Sequence, residues 1–264
     1  MSASRPPDTW ASGDAYEPFV GRWSRLVAAE LLRWFAVPAG ARWLDVGCGT
    51  GALSAAIVRG CDPADVLGVD PSQGFVEHAR AHVPGARFAV GDAGDLPAPD
   101  AGFDASVSGL VLNFVPDPAR AVAEMARVVR PGGVVAVYVW DYAGDMQMLR
   151  RFWDAAAALD PGAAELDEAR RFPTAQPDAL DELFRGAGLA AVQGREIVVP
   201  TVFSDFDDYW SPFLGGQGPA PSYLEVLDED AQAALRERLR ATLPAGDDGS
   251  IALTARAWAV RGLT

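Results

Sequence analysis

The sequence predicts an α/β protein built on a doubly wound parallel sheet with helical insertions. Between residues 41 and 140, short apolar, β-branched runs alternate with amphipathic stretches of helical length. One of those runs turns through alternating glycines straight into a helix. The chain has 264 residues and is 50% hydrophobic, which suits one large domain with a sizeable core.

The elements follow in order. A leading helix is expected over 19–35, ending before Pro38-Ala39-Gly40, with strands over 42–46, 66–70, 87–90, 103–108 and 133–140. Helices over 52–59, 72–82 and 118–129 fill the gaps with apolar residues at three-and-four spacing, and the last stops at Pro131-Gly132-Gly133. Beyond the fifth strand, 144–171 reads as one or two helices, 176–186 as another and 189–199 as a strand. A less regular stretch over 205–243 carries Phe206, Tyr209, Trp210 and Phe213, with a helix over 229–239, and 251–260 alternates as a final strand. No linker or repeat divides the chain. The reading is therefore one domain over 1–264: a helical cover (1–40), a binding core (41–140), insertions over 141–188 and 200–250 near the carboxyl ends of the strands, and the closing strand (251–264). The insertions are expected to act as lids.

Composition narrows the chemistry. All 22 basic residues are Arg, so a Schiff-base enzyme or a Walker-type phosphate loop is excluded for want of a lysine. His78 and His82 are the two histidines, too few for a three-His zinc site, and their spacing fits a helix surface; no metal is expected. The formal charge of −14 weighs against nucleic acid, and the short Arg clusters read as solvated helix faces. Two cysteines, no apolar leader and no run of about 20 apolar residues give the expectation of a cytoplasmic, soluble protein without membrane association. Oligomeric state is not legible.

The segment that carries chemistry is Leu44-Asp45-Val46-Gly47-Cys48-Gly49-Thr50-Gly51. Glycines let a ligand sit against the backbone itself. The second strand ends at Asp70, placed to accept ribose hydroxyls, and the third ends in Gly91-Asp92-Ala93, suited to an exocyclic amine and a flat ring. Gly47, Gly49 and Ala52 also satisfy the permissive dinucleotide fingerprint, so an NAD-type oxidoreductase stays open. Asp45 and Asp92 together with the closing strand favour a cationic nucleoside with an amino-acid tail.

These segments, with Gly68-Val69-Asp70-Pro71-Ser72, Asp95-Leu96-Pro97, Phe103-Asp104, Leu112-Asn113-Phe114-Val115-Pro116-Asp117 and Arg130-Pro131-Gly132-Gly133, resemble class I S-adenosylmethionine-dependent methyltransferases. The similarity is to the small-molecule, ubiquinone/menaquinone-biosynthesis-like (methyltransferase type 11) subgroup. It implies a Rossmann-like seven-stranded sheet with an antiparallel last strand, S-adenosylmethionine as cofactor, S-adenosylhomocysteine as product and a small-molecule acceptor.

The same resemblance assigns Gly47, Cys48, Gly49 and Gly51 to the methionine part, Asp45 to its ammonium, Asp70 with Pro71 and Ser72 to the ribose side, and Asp92 and Ala93 to the adenine. Ser108, Gly109 and Asn113 would pass beside the cofactor; Asn113 stands where relatives often carry His. Tyr16, Arg22 and Trp23 would reach down from the leading helix, although Trp23 also suits that helix's core face. Asp141 and Tyr142, just past the fifth strand, are the expected base candidates for an acceptor that arrives protonated. A binder that holds the cofactor without turning it over is the remaining alternative.

Overall fold

The computed structural model describes residues 21–215 and 218–264. Five parallel strands run β1 (Arg42–Val46), β2 (Asp65–Asp70), β3 (Arg87–Val90), β4 (Phe103–Gly109) and β5 (Val129–Trp140). Two more, β6 (Ala190–Phe203) and β7 (Ile251–Leu263), complete a seven-stranded sheet of order β3-β2-β1-β4-β5-β7-β6. β7 lies between β5 and β6 and is antiparallel to both. The order in which strands are added reverses between the parallel neighbours β1 and β4, the place where an open α/β sheet leaves a crevice at its carboxyl edge.

Helices form where the apolar positions recur at three-and-four spacing. α1 (Arg22–Phe35) buries Trp23, Val27, Leu31 and Phe35 and packs on α2 (Ala52–Gly60), β6 and β7. α3 (Gln73–His82) starts where the Ser72 hydroxyl accepts the Phe75 N–H, and α4 (Pro118–Val128) where the Asp117 carboxylate accepts the Arg120 N–H. Val122, Met125 and Val128 of α4 are sealed from water and contribute about 1.5–3 kcal/mol each.

Three strands run past their expected ends. β5 begins at Val129, because the chain stays extended through Pro131-Gly132-Gly133, with a register irregularity opposite Phe103–Ala105. β6 continues through Pro200 to Phe203. Proline is tolerated there because β6 is the sheet's edge and no ladder bond is lost on its open side. β7 extends to Leu263 and pairs β6 along nearly its whole length.

The segment after β5 forms α5 (Gln147–Leu159), a 3-10 turn, α6 (Glu168–Arg171) and α7 (Pro177–Gly186); the segment after β6 forms α8 (Phe206–Trp210), α9 (Pro219–Glu225) and α10 (Glu229–Thr242). Instead of standing apart, the two share an aromatic core. Phe152 stacks on Phe213 at 4.6 Å, Trp153 meets Tyr223 at 5.6 Å, and the Tyr209 hydroxyl donates to the Met148 carbonyl at 2.9 Å. No helix of the described residues is long and apolar enough to cross a membrane.

Candidate active site

A cavity of about 270 Å³ opens at the carboxyl edge of β1, β2 and β4. Its floor is the turn between β1 and α2. Gly47 holds φ at +71°, and a Cβ there would lie 2.4 Å from Val111 Cγ1, so only glycine closes this turn. The Gly47 and Cys48 N–H groups both donate to the Val69 carbonyl, at 2.7 and 3.0 Å, which ties the floor to β2.

Two buried carboxylates face this space. Asp45, 1% exposed, accepts the Ser54 hydroxyl on Oδ2 at 2.6 Å, while its Oδ1 is buried without a partner among the described residues. Burial, opposed by the Ser54 hydrogen bonds and reinforced by the nearby Asp70 charge, pushes its pKa up to about 7. Asp70, at the tip of β2, accepts the Gly49 N–H on Oδ2 at 3.0 Å and the Ser72 N–H on Oδ1 at 2.9 Å. Burial raises its pKa, and those two N–H groups work against the rise. Asp92 is exposed on the opposite wall, its Oδ1 held by the Gly94 N–H at 2.7 Å.

A buried acceptor left open beside a second buried acid asks for a cation with N–H donors. The open face of Asp45 fits an ammonium group, and the Asp70 carboxylate, lining the same cavity, can accept from ligand hydroxyls. A dinucleotide's pyrophosphate would meet repulsion at the same spot. This set of acceptors therefore fits an amino-acid-bearing nucleoside.

The structure brings Asp45, Gly47, Cys48, Gly49, Asp70, Pro71, Ser72, Asp92, Ala93 and Gly109 together around the cavity. Cys48 is a compact spacer there: burial, and then the charges of Asp45 and Asp70, push its thiol far above its ordinary range. Gly51 is not part of the lining; it occupies the N-cap position of α2, packed toward Val83 and Ala79. Ser108 is buried within β4 away from the lining. Asn113 sits in a 3-10 turn whose neighbours Val111 and Phe114 line the cavity, but its own carboxamide is buried outside it. Arg22 and Trp23 also lie off the cavity, against Phe203, and the Tyr16 expectation falls outside the described residues.

Asp141 and Tyr142 do not reach the cavity, and the base role expected of them does not fit their surroundings. Asp141 accepts the Gly144 and Asp145 N–H groups at 3.0 Å each and is ion-paired with Arg256 at 2.7 Å, so both its oxygens are engaged in holding the chain after β5. Tyr142 packs on Phe172, which in turn meets Phe114 of the lining, placing the phenol behind two rings. Among the described residues no group of three or more His, Cys, Asp or Glu could hold a metal ion.

Other wall residues carried no signal in the sequence. Tyr138 of β5 reaches the cavity across Gly109, where a Cβ would meet its hydroxyl at 2.6 Å; only the β4–β5 register reveals that pairing. Ser24 of α1 lines the same wall. Leu110 turns the chain at φ +63°, unusual for a residue with a side chain, and is pinned by its N–H to the Tyr138 carbonyl at 2.8 Å.

Residues 44–137 match the family model described as Methyltransferase domain. The chain is 31% identical over 245 residues to trans-aconitate 2-methyltransferase of Methylobacterium nodulans, spanning 86% of this chain and 88% of that protein. It is 31% identical over 187 residues to 2-methyl-6-phytyl-1,4-hydroquinone methyltransferase of Synechocystis, spanning 69% of this chain but only 57% of that relative. Among solved structures, YcgJ from Bacillus subtilis shares the fold, with a TM-score of 0.59 at 21% identity over 92% of this chain and 98% of that one.

Proposed function

The chain belongs to the class I S-adenosylmethionine-dependent methyltransferases of the type 11 kind, and from that premise we propose that its small-molecule acceptor is a carboxylic acid, methylated on oxygen. Membership replaces the dinucleotide and non-catalytic alternatives. The cofactor supplies a methyl group on a sulfonium centre, open to in-line displacement by a nucleophile held close and dry.

The observation that carries the cofactor assignment is the unpartnered Oδ1 of buried Asp45 beside the glycine turn. In this reading Asp45 holds the ammonium, Asp70 the ribose hydroxyls, Asp92 and Ala93 the adenine edge, and the Gly47–Gly49 backbone the methionyl chain. Pro71, Ser72 and Gly109 complete the walls.

A carboxylic acid suits the shortage of bases. A carboxylate is already ionised at neutral pH and attacks without giving up a proton. That suits a site where the Cys48 thiol is held protonated and Asp141 is tied to Arg256, with both histidines on α3. It also agrees with the relative whose name specifies trans-aconitate. The two insertions, 141–188 and 200–250, would close over the acceptor.

The test is transfer of labelled methyl from S-adenosylmethionine to small mono-, di- and tricarboxylic acids, trans-aconitate included. Base-labile products that release labelled methanol are expected. Label recovered only in base-stable products of phenols or amines would overturn the acid assignment.

A further inference from the structure

We propose that Ser54 is a positioning residue of the cofactor site: its hydroxyl pins the Asp45 carboxylate so that one oxygen stays open to the cofactor's ammonium group. The proposal rests on the cofactor reading of the cavity. Its origin is the asymmetry of one buried carboxylate. Asp45 Oδ2 accepts the Ser54 hydroxyl at 2.6 Å, whereas Oδ1 is buried with no hydrogen-bond partner among the described residues. Ser54 is itself fully buried and lies outside the cavity lining, so it acts on a ligand only through Asp45.

The fold builds this contact. Asp45 stands next to last in β1, and Ser54 is the third residue of α2. Between them runs the glycine turn, closed by the Gly51 N–H on the Cys48 carbonyl at 2.8 Å, which returns the start of α2 to the end of β1. Leu53 and Ile57 anchor the helix in the core on either side of Ser54. The last torsion of an aspartate is soft, so without a partner the carboxylate can turn either oxygen toward a ligand or away from it. One charge-assisted bond from a hydroxyl that is itself immobilised removes that freedom.

The same bond decides when the site is charged. The groups that act on Asp45 are Ser54 from α2, Asp70 from β2 and Cys48 from the turn, and none of these is a cation; β4 sets Val107 beside it, and α1 presents Ser24 to the same cavity. Burial and the Asp70 charge favour the neutral acid, while the Ser54 hydroxyl and N–H favour the carboxylate and hold the pKa at about 7. Without the hydroxyl, Asp45 would stay protonated at neutral pH and offer an ammonium group no charge. Ser54 therefore sets both which oxygen meets the cofactor and the pH above which that oxygen is ionised.

The experiment titrates the full chain with S-adenosylhomocysteine and with methylthioadenosine, which lacks the amino-acid tail, from pH 6 to 8.5. The ratio of the two affinities isolates the amino-acid end, because the ribose and adenine contacts are common to both. In the wild type this ratio should climb with pH. Ser54→Ala should move the midpoint of the climb up by about one pH unit, a loss of about tenfold in the ratio at pH 6 and about fivefold at pH 7 that closes to within about twofold at pH 8.5. Ser54→Cys, which fills the space with a weak donor, should shift it the same way, and Ser54→Thr, which keeps the hydroxyl, should restore the wild-type midpoint. In the Asp45→Asn background, Ser54→Ala should leave the ratio unchanged. A loss equal at every pH, or shared by methylthioadenosine, would make the role of Ser54 purely structural and overturn the proposal. So would a wild-type midpoint in whichever of Ser54→Ala and Ser54→Cys folds. A wild-type ratio that is flat with pH, or no binding of S-adenosylhomocysteine at all, would instead strike at the ammonium assignment of Asp45 on which the proposal rests.

Discussion

Asp45 governs the electrostatics of the cavity, and its behaviour with pH is directly measurable. Its pKa, pushed up to about 7 by burial, lies above the 3.8 of an ordinary aspartate, so the folded, ligand-free protein binds this proton more tightly than the unfolded chain does. The stability tied to it is complete below about pH 4 and is lost as pH rises through 7, by up to about 4 kcal/mol. Asp45→Asn should therefore raise the ligand-free melting temperature at pH 8 and leave it little changed at pH 4, checked by calorimetric melting at both. Binding runs the opposite way: an ammonium favours the ionised form, so affinity for S-adenosylhomocysteine should climb between pH 6 and 8 in the wild type and stay low and flat in the variant. Gly47→Ala places a Cβ 2.4 Å from Val111 in a left-handed turn and should cost about 1–3 kcal/mol of stability, with cofactor affinity falling at least tenfold. Asp45, Asp70 and the glycine turn were legible because acids at strand ends beside such a turn belong to a nucleoside-binding edge in either of the two readings. Tyr138 and Asp141 were not, because their partners, Gly109 across the β4–β5 register and Arg256 on β7, are set by pairing at long sequence separation.

The elements follow the same division. β1 and β3 fall where alternation and turn residues bound them on both sides, whereas β6 and β7 outrun expectation through their long antiparallel pairing and β5 through the parallel partnership of Val129 with Phe103. After β5, the chain is secured by two buried acids of different kinds. Asp141 is ion-paired with Arg256, and Asp141→Ala should destabilise the fold by about 3 kcal/mol through the uncompensated partner and open N–H groups, with S-adenosylhomocysteine affinity within twofold of wild type. Calorimetric melting and titration check both halves. Glu168 of α6 is buried against the Trp153 indole N–H, and desolvation pushes its pKa up to about 8 from an ordinary 4.5. Its stabilising contribution is fully present below about pH 4.5 and is lost as pH rises through 8. Glu168→Gln should accordingly raise the melting temperature at pH 9 by about 5 °C and change it little at pH 4.

Taken as a whole, the molecule separates its tasks along the sheet. The amino ends of β1, β4 and β5 are locked by Asp104, whose carboxyl Arg42 and Arg130 hold well below the usual carboxylate range, while the carboxyl ends carry the buried acids that a cationic ligand must satisfy. The helices after β5 and β6 share one aromatic core and form a single body rather than two independent flaps. That joint packing could not be read from either segment alone, since each was only a run of aromatics without a partner. The most direct test of the central claim is titration calorimetry of S-adenosylmethionine and S-adenosylhomocysteine against the wild type, Asp45→Asn and Asp70→Ala, with folding of each variant verified by melting. One-to-one binding that falls at least tenfold in both folded variants is the predicted result. Undiminished binding in either folded variant, or none in the wild type, would contradict the assignment of this cavity to the cofactor.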